Sequence, residues 1–168
     1  MKPLNLLKLF WLLSALSITN ITSSEELPTR LQVALMQKII TLENNLASKT
    51  EISIYVLDAP KISQLLGSGV GLKLGNATLK KVDSGKNIPN KKYDVIYIGS
   101  LSKEKTAIKY AVKNKIMSLY PIIDGMNNLG SLGLGIKSGR PTFLLNIGES
   151  KAEGLNWDPA ILRVSTIK

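Results

Sequence analysis

Two short runs, Ile52-Ser53-Ile54-Tyr55-Val56-Leu57 and Tyr93-Asp94-Val95-Ile96-Tyr97-Ile98, are apolar at nearly every position and rich in β-branched and aromatic residues. A strand with one wet face alternates apolar with polar residues, whereas an almost unbroken apolar run needs cover on both sides. These runs therefore call for a parallel sheet between two layers of helix. The second run ends at Gly99-Ser100, and Ser102 is placed to N-cap a helix over residues 103–115. Ala107, Ile108, Ala111 and Val112 form the inner face of that helix. Residues 116–119 read as the next strand, closed by Tyr120-Pro121. Strand, helix and strand in close succession make a βαβ unit, whose crossover is almost always right-handed.

The flanking segments extend this plan. Asp58-Ala59-Pro60 breaks the first run, and Pro60 suits the first turn of a helix over 60–66. Gly67, Gly69, Gly71 and Gly75 then form a connection whose spacing is not that of a dinucleotide loop. Residues 78–82 form a short, polar strand expected near a sheet edge. Upstream, Thr29 and Gln32 fit a capping box. Leu31, Leu35, Ile39, Leu42 and Leu46 follow at helical spacing, flanked by Val33, Met36 and Ile40. That stripe has two uses: packing on the sheet, or a surface for a partner or a second copy. After the loop-like Asp124-Gly125-Met126-Asn127-Asn128, residues 132–137 alternate with a period of two. Ser138-Gly139 is a turn signal, and 141–146 is a second strand of a hairpin. A short helix over 149–154 ends at Gly154, and 157–164 closes the chain with Ile161 and Leu162 on the core. The whole is one α/β domain. It has a mostly parallel sheet flanked by helices in Rossmann-like βαβ units, and an antiparallel hairpin towards the C-terminus.

Lys2 and Lys8, an apolar stretch over 9–18 and the small residues Thr22-Ser23-Ser24 read as a cleaved signal peptide over 1–24 rather than an uncleaved anchor. The apolar stretch is about ten residues, half of the roughly twenty that a membrane span needs. Residues 25–168 are then the mature domain, without a transmembrane segment and placed in the periplasm. The sequence has no histidine and no cysteine. Its core must hold without disulfides, and no Ser-His-Asp or Cys-His nucleophile or Cys/His zinc site can be assembled. Acid–base chemistry falls to carboxylates, Lys or Tyr. Asp58, Asp94 and Asp124 form an acidic group only if strand ends gather them. Ser100-Leu101-Ser102-Lys103 matches S-x-x-K and Lys137-Ser138-Gly139 resembles K-T-G, but S-D-N is missing, so a strand end and helix cap is the simpler reading. No catalytic residue, metal or cofactor is expected. Loss of Lys2 and Lys8 with the leader takes the formal charge from +10 to +8. The lysines are spread along the chain, with Lys105, Lys109 and Lys113 on one helical face and isolated pairs at Lys80-Lys81 and Lys91-Lys92. No aromatics interleave with them, which argues for a solvated face and against a nucleic-acid partner.

Arg140-Pro141-Thr142-Phe143-Leu144-Leu145-Asn146, a short Glu/Lys/Ala helix, Gly154-Leu155 and Pro159-Ala160-Ile161-Leu162 together resemble the close of the YfiR/HmsC family. That family ends with a Phe-x-x-Asn strand, an Ala-rich helical turn, Gly-Leu and a leucine-rich segment. The order of export signal, amphipathic helix and first strand agrees over about residues 30–165. Tyr93-Asp94-Val95 stands where the family has Cys-Asp-Val. The Phe-x-x-Trp-Pro that often follows the family's first helix is missing, and no cysteine supports disulfide-based sensing. The resemblance implies a non-enzymatic periplasmic repressor. It would bind the periplasmic domain of an inner-membrane diguanylate cyclase, hold it inactive, and so affect cyclic di-GMP and biofilm formation. A homodimer is a further expectation. The alternative is a periplasmic sensor of a small molecule or anion at the strand ends. Asp58, Ser100, Ser102, Lys103, Asn127 and Asn128 lie there, beside a helix N-terminus. Plain helix capping accounts for the same residues. Arg140 is a motif position beside a hairpin turn that serves either as a partner contact or simply as a solvated side chain, while Asn146 reads as structural, tying a strand end to the next turn.

Overall fold

A computed structural model describes residues 27–122, 130–137 and 139–168. The leader expected at 1–24, and Asp124, Asn127, Asn128 and Ser138, lie outside the described residues. Eight strands form one sheet: β1 Glu51–Leu57, β2 Lys73–Leu74, β3 Ala77–Gly85, β4 Val95–Ile98, β5 Met117–Pro121, β6 Leu132–Lys137, β7 Arg140–Leu145 and β8 Ser165–Ile167. Their spatial order is β2-β3-β1-β4-β5-β6-β7-β8. β1 runs parallel to both β3 and β4, and β4, β5 and β6 continue in parallel. β6 and β7 form the expected antiparallel hairpin, with Lys137 opposite Arg140. The fold is thus a single α/β domain with a mostly parallel sheet.

The two apolar runs occupy the centre of the sheet and are covered on both faces. Ile52, Ile54 and Val56 of β1 join Val95 and Tyr97 of β4 in the larger core, beneath α1 Thr29–Ile40 and α3 Pro60–Gly67. Tyr55, Leu57, Ile96 and Ile98 face the other way, onto Ala107, Ile108 and Ala111 of α4 Glu104–Asn114. Pro60 opens α3, as its fixed φ favours. Among the described residues no helix is long and apolar enough to cross a membrane.

Several local expectations are corrected. Helix α1 begins at Thr29 after Pro28 and has no side-chain cap, so the Thr29/Gln32 capping box does not form. Gln32 is instead buried, donating from Nε2 to Leu27 O at 2.8 Å and accepting from the Tyr97 hydroxyl at 2.7 Å. A sheet tyrosine took the amide that the local motif had claimed. The helix stops at Ile40, so Leu42 lies beyond it and Leu46 sits on the short α2 Asn44–Ala47, N-capped by the Glu43 carboxylate. Its buried face is Gln32, Val33, Met36, Ile39 and Ile40, and Leu31 is left exposed. That face is spent on the sheet core. Strand β3 is longer than the expected 78–82 and lies second from the edge, where the two-residue β2 pairs with it. Ser102 does not cap α4: a single 3-10 turn, Leu101–Lys103, precedes the helix, and Lys103 takes the cap position without a side-chain bond. Strand β5 runs on through Tyr120 and Pro121. Helix α5 Ile147–Ala152 is N-capped by Asn146, whose Oδ1 accepts from Glu149 N–H at 3.1 Å, and Gly154 follows it at φ 76°. The closing segment contains α6 Ile161–Val164 and β8, which pairs parallel to β7. Ile161 is buried as expected, but Leu162 is half exposed.

Candidate functional site

In an open parallel sheet, ligands enter the crevice where strand order reverses, at the carboxyl ends. Here the reversal falls between β1 and β4, where Gly99 N–H donates to Leu57 O at 2.8 Å; on the other side of β1, Asp58 N–H donates to Gly85 O of β3 at 2.9 Å. A Cβ on Gly99 would stand 2.6 Å from the Ala59 Cβ and 2.9 Å from Asp58 O, so these strand ends tolerate only glycine. Of the residues expected at these ends, Asp58, Ser100, Ser102 and Lys103 are described. Asp58 is exposed at φ 55°, a left-handed conformation that Asp tolerates. The Ser100 and Ser102 hydroxyls meet each other at 3.0 Å. Lys103 turns away to Lys86 O and, at 3.1 Å, to Asn87 Oδ1, so the S-x-x-K spacing builds no serine–lysine pair. Arg140 is exposed at the start of β7, three strands along from β4. Asp94 precedes β4 and lies at the opposite end of the sheet from Asp58. It accepts from Ser53 N–H at 2.7 Å, Ser53 Oγ–H at 2.6 Å and Lys49 Nζ at 2.7 Å, and these bonds hold its carboxyl below the usual range although burial opposes them. Asp94 is a strand clasp, and among the described residues no acidic group gathers around it.

A groove of about 550 Å³ opens instead beside the end of β3, under the loop of residues 86–92. Its floor is two buried rings, Tyr55 of β1 and Tyr93, with centroids 5.2 Å apart and planes tilted by 47°. Asp83 of β3 is the electrostatic centre. It accepts from the Tyr93 hydroxyl, and Lys81 Nζ and Lys91 Nζ stand 2.6 and 3.3 Å from its Oδ2. Each ammonium is also 5.7 Å from the Tyr93 ring centre. The Lys81 contact, with the Tyr93 hydrogen bond, pulls the Asp83 carboxyl down to about 2. Burial, with Asp83 close by, pushes both tyrosines above their usual range. At neutral pH the groove therefore holds a fixed carboxylate, neutral phenols and ammonium groups, an arrangement suited to binding charge rather than to moving protons.

The loop over the groove is fastened at both ends. The Tyr55 hydroxyl donates to Asn87 O at 2.7 Å, Lys103 holds Lys86 O, and the Tyr110 hydroxyl of α4 donates to Lys91 O at 2.6 Å. A Cβ on Gly85 would lie 2.4 Å from the Tyr55 hydroxyl, so the ring reaches the loop only across a glycine. Sequence reasoning missed this groove. Its one visible trace was the pair of lysine doublets, Lys80-Lys81 and Lys91-Lys92, bracketing a Gly/Asn/Pro loop.

A second polar cluster is sealed inside. Glu153 is fully buried and accepts from Ser118 N–H at 3.0 Å and from the Ser118 hydroxyl, while Ser131 N–H donates to Ser118 Oγ at 2.8 Å. Burial pushes its carboxyl up to about 7. The cluster ties the end of α5 to β5 and to the residue before β6.

No protein-family model matches the chain, and no curated protein matches it. Among solved structures, the crystal structure of a conserved domain protein from Vibrio cholerae O1 biovar El Tor is similar, with a TM-score of 0.50 at 14% identity. The match covers 83% of this chain and 60% of that one, so this chain spans less than two thirds of the Vibrio protein. At that identity the likeness shows the fold alone.

Proposed function

We propose that this chain is a non-catalytic periplasmic regulator that works by contact, repressing a membrane diguanylate cyclase through its periplasmic domain as YfiR-like proteins do. The observation that carries the reading is the set of large apolar residues left exposed in the closing segment. Leu162 and Val164 of α6 are each 50% exposed, and Ile167 of β8, the last strand in the sheet order, is 55% exposed. Large apolar side chains left in water beside an open sheet edge suit a surface for another chain. They lie in the same segment as the family-like Pro159-Ala160-Ile161-Leu162. A repressor of this kind binds the inactive state of its partner more tightly, shifting the equilibrium by that difference in affinity.

The test is direct binding between the purified chain and the periplasmic domain of the cyclase. Replacing Leu162, Val164 and Ile167 together by Ser is expected to weaken binding about tenfold or more, with the thermal midpoint little changed. Equal binding by a folded triple variant would remove this surface from the account.

A further inference from the structure

We propose that the groove beside the end of β3 binds a small phosphate-bearing anion, held by Lys81, Lys86 and Lys91 above the Tyr93 ring. Three features carry the assignment. Lys81 comes from β3 and Lys91 from the far end of the loop, yet both converge on one carboxylate oxygen and one ring. Bringing the Lys81 and Lys91 ammonium groups together is costly unless negative charge balances them, and Asp83 supplies one charge against the two. The positive charge left over, with Lys86 on the same lining, suits a phosphate-bearing anion. Lys86 has no carboxylate partner among the described residues, and it lines the same groove.

The loop is also preorganised. Tyr55, Lys103 and Tyr110 each spend a side chain on its carbonyls, which holds the Lys86 and Lys91 backbone in place before any ligand arrives. The volume of about 550 Å³ falls within the range of small-molecule sites. Lysine binds phosphate as a point charge, so a wet, open groove suits it better than the planar, bidentate geometry of arginine. None of the described residues expected at the strand ends lines this groove, although Lys103 bonds its loop, and the assignment stands whether or not the repressor reading holds.

The experiment titrates the full chain with inorganic pyrophosphate at constant ionic strength, reading amide chemical shifts and the thermal midpoint. Saturable shifts confined to residues 81–93 are expected, with a rise in midpoint. Lys81→Gln with Lys91→Gln should weaken the apparent affinity about tenfold or more, while Lys105→Gln with Lys109→Gln, an equal loss of charge on the solvated face of α4, should leave it unchanged. Shifts spread over the surface, no shifts in 81–93, or equal loss in the two double variants would overturn the proposal. If the first double variant fails to fold, the shift map of the unaltered chain decides alone. Phosphatidylglycerol vesicles separate the sources. Vesicle binding that Lys81→Gln with Lys91→Gln abolishes assigns a lipid headgroup, and pyrophosphate binding without vesicle binding assigns a soluble phosphate.

Discussion

Glu153 carries the clearest pH signature among the side chains. Its folded carboxyl sits at about 7 against an ordinary 4.5, so between those values the folded state holds a proton that the unfolded state has lost. Stability therefore falls as pH rises from about 4.5 to about 7 and levels off above, by up to about 3 kcal/mol. Glu153→Gln keeps an acceptor for Ser118 N–H and removes the titration. Urea unfolding at pH 5 and pH 8 should show the variant gaining on the parent at the higher pH, and a gap independent of pH would refute the assignment. Gly85 makes a second residue-scale prediction. Gly85→Ala puts a Cβ 2.4 Å from the Tyr55 hydroxyl and should cost about 1–3 kcal/mol in overpacking. In a Tyr55→Phe background the clashing atom is gone, so the same change should cost less. Neither residue was legible in the sequence. Glu153 looks like any helix-end glutamate until α5 folds back on β5, and Gly85 looks like a turn glycine until the Tyr55 ring reaches across it.

Elements whose signal is local were read well. Continuous apolar runs placed β1 and β4, Pro60 opened α3, alternation marked the β6–β7 hairpin, and Asn146 was read as structural. Asn146→Ala should remove the cap of α5 and cost about 1 kcal/mol, measured as a lower unfolding midpoint with unchanged far-ultraviolet ellipticity. An unchanged midpoint would mean the cap bond contributes nothing net. One misreading has a clear physical cause: a partner from another element outbid the neighbour in sequence. Gln32 left its capping box for Tyr97. The groove was hidden for the same reason. Lys81 and Lys91 stand ten positions apart, and only the return of the loop over Tyr93 brings both to Asp83.

At the scale of the whole molecule, the sheet is thickly covered at its centre and leaves its chemistry to its margins. Gly99 bonds across the point where strand order reverses, an ionic groove opens beside β3, and exposed apolar residues stand on α6 and on the β8 edge. That arrangement suits a protein that acts by being bound. The proposed restraint of a membrane cyclase is read most directly as cellular cyclic di-GMP. Deleting the gene should raise it, restoring the unaltered chain should lower it again, and restoring the folded Leu162/Val164/Ile167→Ser variant should not. An unchanged cyclic di-GMP level on deletion, with the cyclase present and active, would contradict the account.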